Sequence, residues 1–326
     1  MKHTTELGVL LPTGTSSWEP GTDARTLIDF AVRAERLGLD SVWANDSLLS
    51  PRIEPLTMLA ALAATTERVT LGTGTLLPVL RRPVQAAQTL ASVDALSGGR
   101  LVLGVGAGFP GRFGKPLHEL SEVPWERRFA RLDDTVALWR QLWTPDAPSS
   151  FHGEVLHFDD LPKSTAPHRP GGPPIWLGAA APTALVRTGR LYDGWLPYPP
   201  DPAAYGSGLG TVRTAAAEAG RTAEAITPAV YVTVLIDDDA QHGRSALDAF
   251  ARANYGMPLE DLETIQSLVT GPPATVAAHL SRYTAEGAHH LVCRLGALGL
   301  PAQREQLERL AEVQGLLGGS RGGGAA

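Results

Sequence analysis

Short apolar runs alternate with longer segments of helical period along most of the chain. The runs are Leu7–Leu11, Ser41–Ala44, Val69–Thr73, Leu101–Val105, Ile175–Leu177, Gly194–Leu196, Ala229–Leu235 and Leu291–Leu295. Each has the length and near-continuous apolar character of a strand buried on both faces. Between the first two lies "TDARTLIDFAVRAERLGLD", where Leu27, Phe30, Ala31, Ala34 and Leu37 recur on one helical face. Asp23 is placed to accept first-turn N–H groups, and Gly38 to end the helix in the left-handed conformation. Trp125, Phe129, Leu132, Val136, Trp139 and Trp143 step by four and three. That spacing predicts one long helix with an apolar stripe facing the core.

Strand–helix alternation predicts an α/β protein with a parallel sheet covered by helices. Eight strands in 326 residues fit a closed (β/α)8 TIM barrel better than a doubly wound open sheet. One long connection, Pro145 to Pro174, interrupts the pattern. Rich in proline and carrying "FHGEVLHFDDL", it reads as an insertion after the fourth βα unit, a cover over the strand ends with a short hairpin. The chain therefore reads as one barrel domain over 1–317, with the insertion at about 145–174. Residues 318–326, "GGSRGGGAA", read as a disordered tail.

Composition narrows the classes. Apolar residues make up 43% and charged residues 19%, a balance that allows a substantial core and does not suit a disordered chain. The net charge of −6 leaves no basic footprint for nucleic acid. The single cysteine, Cys293, sits in the apolar run "HLVCRLGA" and reads as a small buried hydrophobe in a reducing compartment. "LGVLLP" is too short for a signal-peptide core or a membrane span. A cytoplasmic chain that meets neither membrane nor nucleic acid is expected.

In a barrel of this kind, chemistry belongs to residues just past the carboxyl end of each strand. Those are Pro12–Gly14, Asn45–Ser47, Gly74–Leu76, Gly106–Gly108, Gly178–Ala180, Pro197–Tyr198, Arg294 and Gly296. No lysine stands there for Schiff-base chemistry, and no G-x-S-x-G elbow occurs. His152, His157 and His168 match no metal-ligand spacing, so no metal is expected. Gly106–Gly111 matches G-x-G-x-x-G, but the next convincing helix begins too far on for a dinucleotide fold. The glycines still let backbone approach a ligand closely. A site lined by backbone and small polar groups suits a large cofactor that brings its own reactivity. Asp94, Ser97, Gly98, Gly99 and Arg100 fall at the opposite end and read as a helix cap and return turn. "DDDA" at Asp237–Ala240 reads as a helix cap.

Three blocks carry a family likeness: "LGLDSVWANDSLL", "TERVTLGTGTLLPVLRRPVQAAQTLASVDALSGGRLVLGVGAG" and "PPIWLGAAAPTALVRTGRLYDGWLP". Together they resemble the luciferase-like monooxygenase superfamily, which includes bacterial luciferase and the deazaflavin (coenzyme F420) dependent oxidoreductases. The resemblance implies a (β/α)8 barrel binding reduced FMN or F420 at the strand ends. It implies that Gly74 and Thr75 form a bulge with a non-proline cis peptide behind the cofactor ring. It implies that Gly106, Ala107 and Gly108 line the cofactor side chain, and that Gly178, Ala179 and Ala180 hold its phosphate. Relatives often have Asp-His after strand two, where this chain has Asp46 and Ser47, the candidate catalytic pair. Asp46 is either a proton relay or a loop-holding carboxylate. Relatives also have Arg-His-Pro where this chain has Arg81-Arg82-Pro83.

The function implied first is a flavin-dependent monooxygenase, using reduced FMN from a separate flavin reductase and O2 on a small organic substrate. The alternative is F420-dependent hydride transfer. A second alternative is a non-catalytic flavin-binding protein. A homo-oligomer, a dimer, is expected from the family.

Overall fold

The computed structural model describes residues 5–18, 21–109 and 114–319. β1 (Glu6–Leu10) leads through α1 (Arg25–Arg36) to β2 (Ser41–Ala44), α2 (Pro55–Thr65) to β3 (Thr70–Leu76), and α3 (Pro83–Leu96) to β4 (Leu101–Val105). Two helices, α4 (Lys115–Leu120) and α5 (Arg128–Leu142), follow, then a two-stranded ribbon of β5 (Phe151–His152) and β6 (His157–Phe158). The chain continues through β7 (Ile175–Leu177), α6 (Pro182–Leu191), β8 (Gly194–Trp195), α7 (Pro202–Glu218) and β9 (Thr227–Ile236). It ends with α8 (Ala240–Tyr255), α9 (Leu259–Glu263), β10 (Leu268–Gly271), α10 (Pro273–Ala285), β11 (His290–Leu295) and α11 (Leu300–Gly319).

The sheet order is β10-β9-β11-β1-β2-β3-β4-β7-β8, and β8 also pairs with β9. This is the topology of a (β/α)8 barrel. All eight strands read from the sequence are present. β10 is a ninth, parallel to the last residues of β9; its four residues lie between helical segments and carry no periodic signal. The ribbon β5–β6 lies within the insertion after β4. α11 runs on through Gly318 and Gly319, and the rest of the expected disordered tail lies outside the described residues, as do Pro110 and Gly111 of the glycine motif. Among the described residues, no helix is long and apolar enough to cross a membrane.

By contact density the chain divides into two compact units, Met1–Trp43 with Leu177–Ala326, and Ala44–Trp176. In the second unit, α5 begins at Arg128, not near Trp125 as its apolar spacing suggested, because Arg127 sits in the left-handed region at φ 56°. The buried stripe starts at Leu132 and runs through Val136, Trp139 and Trp143, while Phe129 is exposed. The Trp139 and Trp143 indoles donate to the Pro83 and Ala87 carbonyls of α3, at 2.9 and 3.1 Å. Asp134 of α5 accepts from the backbone N–H groups of Glu154, Val155 and Leu156. The ribbon is thereby pinned to α5. Arg100 is consumed by structure: its guanidinium donates to carbonyls of Ala63, Thr66, Val69 and Ser97. Gly98 and Gly99 supply the left-handed turn beside it, at φ 66° and 81°.

The first unit holds the ladders β10-β9-β11-β1-β2 and β8–β9. Its helix termini form as the sequence implies. Asp23 accepts from Arg25 N at 3.0 Å, Gly38 takes φ 95°, and Asp239 caps α8 through Gln241 N and His242 N. At the amino ends of β1, β2 and β11 lies a polar chain. Glu6 Oε2 meets His290 Nδ1 at 2.7 Å, His290 Nε2 meets Ser41 Oγ at 2.7 Å, and Trp43 Nε1 donates to Ser41 Oγ at 2.7 Å. Gly8 makes room for it, since a Cβ there would stand 1.9 Å from Ser41 Oγ.

Two stability predictions follow from this chain. Gly8→Ala overpacks a site with no slack and is expected to cost about 1–3 kcal/mol in chemical denaturation. The hydrogen bond from His290 holds the Glu6 carboxyl below its ordinary pKa, against the opposing effect of burial. A carboxylate depressed on folding stabilises above its unfolded pKa and loses that contribution as pH falls through the folded value. Glu6→Gln should therefore lower Tm near pH 7, with the gap from wild type closing below the usual carboxylate range. A gap that is constant with pH would contradict this.

Candidate functional site

The second unit carries the candidate residues after β2, β3 and β4. Asp46 is buried, and its Oδ2 accepts from Leu77 N at 2.9 Å and from Arg81 Nη1. Arg81 Nη2 donates to Glu54 Oε1 at 2.9 Å, and Glu54 also caps α2 by accepting from Thr57 N at 2.7 Å. One guanidinium thus ties the loop after β2 to the start of α2 and to the segment after β3. Burial works against the Arg81 charge, but the Asp46 and Glu54 carboxylates outweigh it and raise its pKa above the ordinary value. Ser47 Oγ accepts from Leu49 N at 3.2 Å, closing a local turn.

The β3–β4 ladder shifts register between Thr73 and Leu76. Within that bulge the Gly74–Thr75 peptide is cis, at the position the family resemblance implied. Gly106 N donates to Leu76 O at 2.9 Å, which joins the loops after β3 and β4. Ala107 is buried, and Gly108 takes φ 92°. Behind this loop sits His118, buried, with Nε2 3.3 Å from Ala107 O and Nδ1 3.2 Å from Pro124 O. Its ring meets Trp125 edge-on at 5.0 Å. Nothing in the sequence reading marked His118; its partners are carbonyls, which leave no residue-type signal.

The first unit carries Gly178, Ala179 and Ala180, which lead into α6. Ala181 is its N-cap and Pro182 occupies the first turn, where a missing N–H costs nothing. Trp195 Nε1 donates to Ala179 O at 2.8 Å and fixes the loop. Among the described residues, the backbone N–H groups of Ala180, Ala181 and Thr183 make no hydrogen bond. These exposed residues stand at the positive end of a ten-residue helix, an arrangement that suits a phosphate. The same unit holds a polar group that the sequence reading named only in passing. Arg294, at the carboxyl end of β11, donates to Tyr255 Oη at 2.6 Å and to Asn254 Oδ1 at 2.7 Å.

Comparison with known proteins places these features in a family. The family model for the luciferase-like monooxygenases matches residues 5–290. An F420-dependent glucose-6-phosphate dehydrogenase of Amycolatopsis mediterranei is 29% identical over 307 residues, 82% of this chain and 87% of that protein. Its namesake from Kineococcus radiotolerans is 31% identical over 304 residues, 82% of this chain and 86% of that protein. Among solved structures, an F420-dependent secondary alcohol dehydrogenase in complex with an F420-acetone adduct superposes with a TM-score of 0.79. It is 20% identical and is matched over 95% of this chain and 99% of its own. The monooxygenase RslO1 from Streptomyces bottropensis gives a TM-score of 0.76 at 23% identity, over 94% of this chain and 98% of its own. These two likenesses speak for the barrel fold. The family model, covering most of the chain, and the long curated alignments speak for descent: the protein is an enzyme of the luciferase-like monooxygenase family.

Proposed function

We propose that the protein is an F420-dependent oxidoreductase that transfers hydride to or from a small organic substrate. This was the alternative in the sequence reading, and it now takes precedence over the reduced-FMN monooxygenase. The observation that carries it is the run of F420-dependent dehydrogenases aligned over more than four-fifths of the chain. The residues present fit the group. In the first unit, the uncommitted N–H donors of Ala180, Ala181 and Thr183 take the cofactor phosphate, with Gly178 and Ala179 keeping the loop free of bulk. In the second unit, the Gly74–Thr75 bulge and Gly106, Ala107 and Gly108 bring backbone close to a flat ring. A bound deazaflavin supplies a carbon centre that gives or takes hydride and does not require oxygen.

The same reading gives Asp46 a holding role. Its Oδ2 is already committed to Leu77 N–H and Arg81, so the carboxylate fixes the loop that presents Ser47. The Ser47 hydroxyl accepts one bond and keeps its own proton for orienting a ligand atom. It is too weak an acid to serve as a base near neutral pH.

Two experiments test this. In equilibrium titration, wild-type protein should bind F420, and Ala180→Asp should weaken that binding by about tenfold or more, because it sets a carboxylate beside the phosphate. Unchanged affinity would remove the α6 loop from the cofactor site. Asp46→Asn should lower stability by about 1–3 kcal/mol through loss of a charge-assisted bond, with turnover per folded molecule nearly unchanged. A loss of about 10²-fold in turnover at full stability would mark Asp46 as a proton relay instead.

A further inference from the structure

The ladders of the first unit decide where the side chains of β9 and β11 project. Ala229 pairs with His290, Tyr231 with Val292, and Thr233 with Arg294. Side chains alternate along a strand, so these six share one face. It is the face of the Glu6–His290–Ser41 chain, and Arg294 is its last member toward the carboxyl end of β11. That is the end at which (β/α)8 enzymes do their chemistry.

Arg294 is partly buried there. Its guanidinium donates to the Tyr255 hydroxyl and the Asn254 amide oxygen, and Tyr231 lies on the same face of the ladder. It lies 4.7 Å from the Phe250 ring centroid and 5.3 Å from that of Tyr255. The Asn254 amide is held in that orientation, its Nδ2 donating to Phe250 O and its oxygen also accepting from Ser16 Oγ at 2.7 Å. Burial pushes the Tyr231 phenol up, so it stays neutral. Every partner of Arg294 is therefore neutral. Among the described residues no aspartate or glutamate pairs with it. Across the ladder, the buried Thr233 hydroxyl has no hydrogen-bond partner.

The contrast with Arg81 is direct. That guanidinium is held by two carboxylates. Arg294 has been drawn partly out of water by rings and neutral oxygens, and its charge is left uncancelled. The five donors of a guanidinium are not exhausted by these contacts, and its planar fork matches a carboxylate bidentately. A doubly charged phosphate would call for further cations. The chain has three lysines, Lys2, Lys115 and Lys163, and among the described residues none stands at the carboxyl end of a barrel strand. We propose that Arg294, framed by Asn254 and Tyr255, binds a carboxylate of the substrate, so that the enzyme acts on an organic acid. The substrate class rests on the hydride-transfer reading; the anion site does not.

The test uses matched acids and amides. Benzoate and benzamide, and pyruvate and pyruvamide, are titrated calorimetrically into the wild-type protein and into Arg294→Gln, with and without F420. Each acid should bind wild type about tenfold or more tightly than its amide, the scale of a charged hydrogen-bonded contact. Arg294→Gln should abolish the difference while F420 affinity stays within about threefold, a change under 1 kcal/mol. Acids and amides binding wild type alike would overturn the proposal, whether or not the variant folds. Retained discrimination in Arg294→Gln would overturn it too. A variant that loses F420 affinity instead would assign the charge to the cofactor and overturn the substrate assignment. Failure of F420 to bind a protein that still separates acid from amide would sink the cofactor reading and leave the anion site standing.

Discussion

A parallel strand packed on both faces has no solvent to turn to, so a polar side chain on it is costly unless a partner is built in. This constraint organises the molecule. On β3 the Thr73 hydroxyl is answered by Gly104 O at 2.8 Å. On β2 Ser41 is answered by His290 and Trp43. Apolar residues fill most of the remaining strand positions, and chemistry is displaced to the loops beyond the strands. There the chain invests in glycine, alanine and backbone N–H groups instead of nucleophiles and bases. Such a lining is of little use without a cofactor, and the family to which the chain belongs supplies one.

Within that frame, two arginines do different work. Arg81 is neutralised by Asp46 and Glu54, and the trio acts as a clamp on three chain segments. Its charge is matched within the architecture, and Asp46 Oδ2 is engaged by Leu77 N and Arg81. Arg294 is framed by neutral groups, and its charge remains available to a ligand. Fold and function divide along that line: a compensated charge stabilises, and an uncompensated one waits for a partner.

The eight barrel strands were legible because each is an apolar run long enough to stand out between helical segments. β10 was not, since "LVTG" is short and is recruited to the sheet only by pairing with the far end of β9. The start of α5 was misplaced because Trp125 continues the apolar spacing, although its backbone does not continue the helix. The cis peptide at Gly74–Thr75 was legible only through family resemblance; composition and period say nothing about it. The role of Asp46 stayed open in the sequence because its partners lie 31 and 35 residues away. The same is true of Arg294, whose Tyr255 and Asn254 partners are 39 and 40 residues distant, on the last turn of α8. Sequence places residues at strand ends well. It does not say which charges will be cancelled there.

On the proposed function, this member of the family works with a deazaflavin and moves hydride. A competition titration tests it most directly, with F420 and FMN contending for the wild-type protein. F420 is expected to displace FMN with about tenfold or greater preference, a difference of about 1.4 kcal/mol. Preferential retention of FMN would contradict it and return the enzyme to the oxygen-using branch of the family.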